Sequence, residues 1–234
     1  MKNNYIIFNG KNSNEIEGLI IQELPEITKP KLRTNNVVID GRDGDIVEEL
    51  GYASYTKQLS IGLNTKADID EVMNFFTGKG KVIFSNEPDK VYDVLADDKV
   101  DYKRLVKFRQ ATVKFHVQPF KYLVDEAPFI LNVTNQSSFK VSNQGYVDSK
   151  PVITLYGSGE ITLSINESSV FTINIDDEYV VIDSLNQEAY KGLILKNRQM
   201  NGQFPILKSG INIISWTGTG NITKIKVEPK SRWL

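Results

Sequence analysis

The chain has 234 residues, of which 40% are hydrophobic, enough for one large core or for two domains of about a hundred residues each. Its 28 basic and 29 acidic residues give a formal net charge of −1, so no overall field attracts nucleic acid or an anionic membrane. The absence of cysteine excludes disulfides, thiolate metal sites and a cysteine nucleophile. No apolar run has the length of a signal-peptide core or a membrane-spanning helix, so we expect a protein that folds in the cytosol.

The first informative segment is VVIDGRDGDIVEELG, at Val37–Gly51, where acidic residues and glycines follow a short apolar run. A calcium loop of the EF-hand type needs oxygen ligands at alternating positions. Counting from Asp40 places Arg42 at the third position, and counting from Asp43 places Val47 at the fifth, so neither alignment fits. The two Asp-Gly pairs favour positive φ and tight turns. We therefore predict a turn here in preference to a metal site.

Most of the chain shows period-two alternation of apolar and polar residues, which predicts strands with one buried face. The clearest examples are Lys57–Leu63, Ala111–Val117, Ile161–Ile165 and Phe171–Ile175. After Phe129, short strands alternate with turn signals such as NESS and GTGN, a pattern typical of a β-sandwich or jelly roll. The sequence GSGE around Gly157 predicts a hairpin, because a glycine-rich phosphate loop would need different spacing and a following helix.

One segment, NTKADIDEVMNFFTGKG, has helical spacing instead. Its apolar residues fall at positions i, i+3, i+4 and i+7, namely Ile69, Val72, Met73 and Phe76. We predict a helix near Lys66–Thr77 that lies on the sheet formed by neighbouring strands. Thr65 and Asp68 have the spacing of a capping box at its start, and Gly78 suits a left-handed cap at its end.

A domain boundary is predicted where Pro119 and Pro128 bracket a short mixed segment after a strand. Beyond this segment Ser, Thr, Asn and Gly become more frequent and helical periodicity disappears. We predict a mainly β fold with one α-helix, divided into an N-terminal domain at residues 1–128 and a C-terminal domain at residues 129–234.

Candidate catalytic groups are few. Strand alternation places the single histidine, His116, on a polar face beside Lys114, and no second histidine exists to complete a zinc pair. The acidic pairs Asp97–Asp98 and Asp176–Asp177 would serve as a glycosidase dyad only across a cleft, whereas neighbours on a strand point to opposite faces. We expect a surface or interface histidine, turns at both pairs, no metal, no cofactor and no enzymatic activity.

Aromatic residues of the C-terminal half allow two interpretations. They are Tyr146, Tyr156, Tyr179, Tyr190, Trp216 and Trp233. A sugar-stacking platform would make the protein a carbohydrate-binding adhesion module that recognises the host cell wall. Alternatively, these rings are core and edge residues. For Trp216 a core position is favoured, because Ile214 shares its face of the strand INIISWTG.

The order of several segments resembles the distal tail proteins of long-tailed bacteriophages and prophages of Gram-positive bacteria. These segments are VVIDGRDGDI, KQLSIGL, the predicted helix, SKPVITLYGSGEITLSIN and NGQFPILKSGINIISWTG. The last is the most specific, because the family pattern is N-G-x-F-P-x-L-x-x-G-x-N-x-I-x-W-x-G. Its fixed positions are matched by Asn201, Gly202, Phe204, Pro205, Leu207, Gly210, Asn212, Ile214, Trp216 and Gly218.

The resemblance implies an N-terminal belt domain, a β-sandwich with one helix that assembles into a hexameric ring. It also implies a C-terminal galectin-like β-sandwich that projects outward. Such a ring is made in the host bacterial cytoplasm and lies at the virion tail tip. There it joins the tail tube protein to a tail-associated lysin or tip protein and to receptor-binding or baseplate proteins.

Within such a ring, the segment GRDGD would belong to an extended arm that reaches a neighbouring subunit. We hypothesise that its charged residues Arg42, Asp43 and Asp45 dock on a basic patch of the next subunit. The segment DYKRLVKFRQ, with Lys103 and Arg104, is the candidate for that patch.

Overall fold

The computed structural model describes residues 4–96, 100 and 109–234. As predicted, this part of the chain is mainly β-structure with one α-helix. It divides into two compact units: unit 1 comprises residues 1–124 with Leu234, and unit 2 comprises residues 125–233. The assignment of residues 1–128 and 129–234 as separate domains with separate roles stays a prediction.

Unit 1 contains an antiparallel sheet, one helix and a separate hairpin. Its elements are β1 (Ile6–Phe8), β2 (Lys11–Asn12), β3 (Leu19–Glu23), β4 (Leu32–Val38), β5 (Asp45–Tyr52), β6 (Tyr55–Leu63), α1 (Ile69–Phe75), β7 (Gly78–Phe84), β8 (Lys90–Ala96) and β9 (Gln110–Leu123). Within unit 1 the sheet has the order β2-β1-β7-β8-β9-β6-β3, while β4 and β5 form a two-stranded sheet of their own.

Alternation along β6 and β9 sets the core of unit 1. The buried side chains of these two strands include Leu59, Ile61, Leu63, Ala111, Val113, Phe115 and Val117. Leu59 lies opposite Val113 in the sheet, so the apolar faces of both strands coincide. Both predicted strands are confirmed, and His116 lies exposed on the other face, as expected.

Helix α1 covers this core with Val72 and Phe75, and the ring of Phe75 meets that of Phe8 edge to face at 6.1 Å. The helix begins later than predicted because Asp68 is its N-cap. The Oδ1 atom of Asp68 accepts hydrogen bonds from the main-chain N–H groups of Asp70 and Glu71. The predicted capping box at Thr65 is therefore wrong.

The residues around the helix explain its shorter length. Before the helix, Asn64 accepts the main-chain N–H of Lys66 at 2.8 Å with its side chain, which holds this segment in a turn. After it, Phe76 is the C-cap, and Gly78 has a φ of +90° as the first residue of β7. The left-handed conformation predicted for Gly78 is thus present where the chain reverses into the next strand.

Unit 2 is a sandwich of two antiparallel layers that share one long strand. Its strands are β10 (Phe129–Asn132), β11 (Ser138–Asn143), β12 (Val152–Ile165), β13 (Ser168–Ile175), β14 (Tyr179–Asp183), β15 (Glu188–Lys191), β16 (Ile194–Leu195), β17 (Met200–Gly202), β18 (Gly210–Gly218) and β19 (Asn221–Glu228); the short strand β20 (Arg232–Trp233) belongs to neither layer. One layer has the order β10-β19-β12-β14-β15-β16, and β11, β18, β12, β13 and β17 form the other. Inward side chains of both layers share one core.

Strand β12 bends where it passes from one layer to the other. Its first half pairs with β14 as far as Tyr156, and its second half pairs with β13 from Gly159 onward. Gly157 lies at the bend, where a Cβ atom would be 2.0 Å from the main-chain oxygen of Asn221. The hairpin predicted at Gly157 is therefore wrong, because the glycines bend one continuous strand instead of reversing it.

Candidate inter-subunit surface

The hairpin of β4 and β5, residues 32–52, projects as a separate element that we call the arm. Its strands pair from Leu32 opposite Tyr52 to Val38 opposite Asp45. Within the described residues the arm has no hydrogen-bonded strand besides its own two. An isolated two-stranded hairpin is only marginally stable in water, so the arm depends on its root or on other protein for its order.

The tip of the arm has the turn that the sequence predicts. The main-chain N–H of Arg42 donates to the carbonyl of Ile39 at 3.1 Å. Gly41 and Gly44 both have positive φ, +81° and +75°, which explains the two Asp-Gly pairs. Arg42 and Asp43 are exposed at this tip.

Apolar side chains occur on both faces of the arm. Residues directly opposite each other in an antiparallel pair share a face, so the Val37–Ile46 pair lies on one face and Val47, opposite Asn36, lies on the other. The exposed apolar residues of the arm are Val37, Val38, Ile39, Ile46, Val47 and Leu50, with Val38 75% exposed. A solvated hairpin has no need of apolar side chains on both faces, whereas one enclosed by other protein does.

The polar groups of the arm hold its two strands together. Asn36 donates to Asp45 at 2.6 Å, Asn35 donates to Glu48 at 3.3 Å, and the Arg33 guanidinium donates to a main-chain carbonyl of β5 at 2.9 Å. Asp45, one of the predicted contact residues, therefore already accepts a hydrogen bond within the arm. Residues 32–52 carry two arginines and five acidic residues, a net formal charge of −3.

The root of the arm is fixed to the core of unit 1. Tyr52 packs edge to face on Phe120 with ring centres 5.7 Å apart. On the incoming side, Lys57 donates to the carbonyl of Glu26 at 2.5 Å, and Asn86 donates to the carbonyl of Pro25 at 3.0 Å. The exposed arm therefore extends from an anchored base.

A buried polar network lies behind this anchor. One carboxylate oxygen of Glu87 accepts from Lys121 at 2.6 Å, and the other accepts from the hydroxyl of Tyr92. The Nζ atom of Lys57 lies 5.1 Å from the ring centre of Tyr92. Burial lowers the pKa of Lys57, whereas burial and the charge of Glu87 raise the pKa of Tyr55 to about 12.

Lys103 and Arg104 lie outside the described residues, as does the pair Asp97–Asp98. The pair Asp176–Asp177 lies in a turn between β13 and β14, as expected, and Asp176 accepts hydrogen bonds from Lys196 and Gln199.

The residues of the family motif stabilise the fold of unit 2. Asn212 is fully buried, donates to the carbonyls of Lys208 and Gly210, and accepts the main-chain N–H of Lys208 at 2.9 Å. Pro205, Leu207 and Ile214 are buried, Phe204 is half-buried, and Asn201 and Gly202 belong to β17. The motif thus shapes a turn at the end of the sandwich.

The six aromatic residues considered as a sugar platform are dispersed. Tyr156 and Tyr179 meet at 5.5 Å on one layer, and their rings are covered by Lys224 and Lys191 at 4.8 and 5.0 Å. Trp216 lies on the other layer, packs against the core and meets Phe139 edge to face. The core interpretation of Trp216 fits this position, and Tyr146 is 84% exposed.

The described residues 4–96, 100 and 109–234 contain no cluster of three or more His, Asp or Glu side chains suited to a metal ion. No helix in the same part of the chain is long and apolar enough to cross a membrane.

Residues 11–117 match the phage tail protein RIFT-related domain. No curated protein matches the sequence. Among solved structures, the chain is similar to the Dit protein of phage SPP1, described as a paradigm of the hub adsorption apparatus in phages that infect Gram-positive bacteria. The identity is 15%, the TM-score is 0.64, and the match covers 97% of this chain and 98% of that one.

A chain from the baseplate of phage P2, in its activated conformation with Ca, matches at 9% identity and a TM-score of 0.47, over 97% of this chain and 98% of that one. The match of residues 11–117 to the phage tail protein RIFT-related domain, and the likeness of nearly the whole chain to the fold of the SPP1 Dit protein, confirm the resemblance to distal tail proteins inferred from the sequence.

Proposed function

We propose that this protein is a structural subunit of the phage tail tip that assembles into a ring, a hexamer by the family resemblance. The ring joins the tail tube protein to the tail-associated lysin or tip protein and to receptor-binding or baseplate proteins. It acts without catalysis and without a cofactor. The observation that carries this proposal is the arm, an anchored hairpin with exposed apolar side chains on both faces.

A closed ring of identical subunits needs two different surfaces that meet in a head-to-tail contact. The arm is suited to be one of these surfaces. It carries Val37 and Ile46 on one face and Val47 on the other, and a groove of the neighbouring subunit would bury both faces. Its net negative charge favours a basic receiving surface. Lys103 and Arg104 of the adjacent subunit are our candidates for that surface.

In this proposal residues 1–128 form the ring and residues 129–234 form an outward, galectin-like platform. Expression of the two halves tests the division: residues 1–128 should form rings, and residues 129–234 should be a monomer. Limited proteolysis should also yield a stable fragment that begins between Ala127 and Asn135. A monomeric N-terminal half beside an oligomeric C-terminal half would reverse the assignment.

The arm is tested by its effect on assembly. Native mass spectrometry should show rings for the unaltered chain and monomers for Val37→Asp with Ile46→Asp, because the new charges cannot be buried at the contact. The matched control is Ile211→Asp on β18 of unit 2, where Ile211 is 70% exposed. Rings that persist in the arm variant, or that are lost in the control, would contradict the proposal.

The charge contact has its own test. Arg42→Glu, mixed with unaltered protein, should change the distribution of ring species, since Arg42 lies at the exposed tip of the arm. Lys103→Glu with Arg104→Glu should weaken rings more strongly at low salt than at high salt, because exposed charge contacts are screened. Unchanged rings in both experiments would contradict the proposed charge contact between subunits. They would not contradict the proposed apolar contact of the arm.

A further inference from the structure

Unit 2 contains an open recess that the hub function does not use. It lies between the segment that leads into β12, the β14–β15 turn and the segment after β17, and has a volume of about 390 Å³. The residues that matter for its chemistry are Lys150, Ser184, Gln187, Gln203, Phe204 and Ile206. Its volume lies within the range of small-ligand sites.

Ser184 gives the first sign of a ligand. It is only 3% exposed, and its hydroxyl group has no hydrogen-bond partner. The main-chain N–H of Ser184 already donates to the carbonyl of Pro151 at 3.1 Å, so its backbone is held in place while the side chain is unsatisfied. A buried hydroxyl without a partner is costly, and a ligand in the recess would supply the missing one.

Lys150 gives the second sign. Several lysines of unit 2 are paired with carboxylates, as Lys208 is with Asp148 and Lys196 with Asp176. Lys150 has no such partner among the described residues, and no carboxylate lines this part of the recess. The recess therefore favours a ligand with one anionic group.

The remaining lining residues restrict the ligand further. The side-chain amides of Gln187 and Gln203 each offer a donor and an acceptor, which matches hydroxyl groups that also do both. Phe204 and Ile206 add apolar surface for the C–H face of a ring. An acidic peptide side chain would use the donors but leave the amide acceptors unused.

We propose that this recess binds a single saccharide unit that carries one anionic group, a carboxylate or a phosphate. Lys150 binds the charged group, Ser184 and the two glutamines bind hydroxyl groups, and Phe204 contacts the ring. This site is distinct from the aromatic residues considered above and does not depend on ring assembly.

Titration of the full chain by isothermal calorimetry and ligand-observed NMR tests the proposal, with glucose 6-phosphate and glucuronate as probes. Glucose, inorganic phosphate and acetyl-Gly-Glu-Gly-amide serve as comparison ligands. At least one charged sugar should bind saturably and about tenfold more tightly than any comparison ligand, because each lacks one of the two recognised features. Absence of binding by both sugars would overturn the proposal.

Three variants locate the binding. Lys150→Met should weaken it about tenfold, whereas Lys140→Met, on the exposed face of β11, should leave it unchanged. Ser184→Ala should weaken binding severalfold without lowering the thermal stability of the free protein, since the lost hydroxyl has no partner there. Equal binding of inorganic phosphate would indicate a simple anion site, and tighter binding of the peptide would indicate a protein partner; either result overturns the saccharide assignment.

Discussion

The ammonium group of Lys57 donates a 2.5 Å hydrogen bond to the main-chain carbonyl of Glu26, which ties strand β6 to the segment that leads into the arm. Lys57 is almost fully buried, although a buried lysine costs free energy through desolvation. A buried cation therefore holds the segment through which the chain passes from β3 to the arm.

Replacement of Lys57 by methionine should loosen this segment with little effect on global stability. The variant loses the tether to Glu26 but also removes a buried charge, so the two effects on the unfolding free energy oppose each other. Hydrogen exchange should become faster at residues 27–32 while the urea midpoint changes little. Lys79→Met, on the exposed part of β7, is the control and should leave exchange in this segment unchanged.

Loss of the largely buried carboxylate of Glu87 should be strongly destabilising. Its partner Lys121 is 11% exposed, and Glu87→Gln would leave that ammonium group without its counter-charge. We expect a loss of about 3 kcal/mol in unfolding free energy, measured by urea denaturation.

The matched control is Asp93→Asn, which breaks the exposed pair between Asp93 and Lys81. It should cost less than about 1 kcal/mol, because solvent screens such pairs. Similar losses for both variants would mean that burial does not determine the strength of the Glu87 contact.

Stability should fall at strongly alkaline pH because of tyrosines in unit 1. Burial raises the pKa of Tyr55 from 10.0 to about 12 and, together with the hydrogen bond to Glu87, raises the pKa of Tyr92 as well. The unfolded chain therefore loses these protons first, and stability decreases from about pH 10 through pH 12.

Lys57 has the opposite effect on the unfolding free energy, and it acts over a different pH range. Its pKa is lowered from 10.5 by burial, so its effect is a rise in stability as pH increases toward 10.5. Above that pH Lys57 no longer opposes the tyrosines, and Tyr55→Phe should make the fall in stability less steep. Urea denaturation from pH 10.5 to 12 measures this slope; a constant unfolding free energy across the range would refute the prediction.

Two glycines of the family motif should differ in their tolerance of alanine. At Gly202, with a φ of +124°, a Cβ atom would lie 2.4 Å from the carbonyl oxygen of Val170 and 2.8 Å from the Cα of Phe171. Gly202→Ala must displace backbone, and we expect a loss of more than about 2 kcal/mol in thermal or urea unfolding.

Gly210 is the matched control, because its φ is +87° but no atom lies within 4 Å of a Cβ at that position. Gly210→Ala should cost only about 1 kcal/mol, from backbone strain alone. Equal losses for both variants would mean that the positive φ alone makes glycine necessary at Gly202, and that the close approach to β13 does not contribute.

Local periodicity in the sequence determined the strands and their buried faces. Leu59 and Phe115 lie on the core side and His116 on the exposed side, because a strand alternates its side chains with a period of two whatever it packs against. The turn between Asp40 and Gly44 was also predictable from local sequence, because Asp-Gly pairs favour positive φ.

The helix shows where local patterns become ambiguous. Both Thr65 and Asp68 are residues of the N-cap type, and each could begin a helix with Val72 on its buried face. Asp68 is the N-cap in the structure, and residues 64–66 form a turn held by the Asn64 side chain directly after the end of β6. Likewise GSGE, after Tyr156, has the composition of a hairpin, yet β12 continues because neighbouring strands pair with both of its halves.

Only the tertiary structure decided which distant residues meet. Lys57, Glu87 and Lys121 form a buried network although they are far apart in sequence, and Lys150, Ser184 and Gln203 line one recess from three separate segments. No sequence period records such contacts, because they arise from the pairing order of strands across each sheet. The local backbone sets how each strand presents its side chains, whereas the burial of all strands together sets which side chains become neighbours.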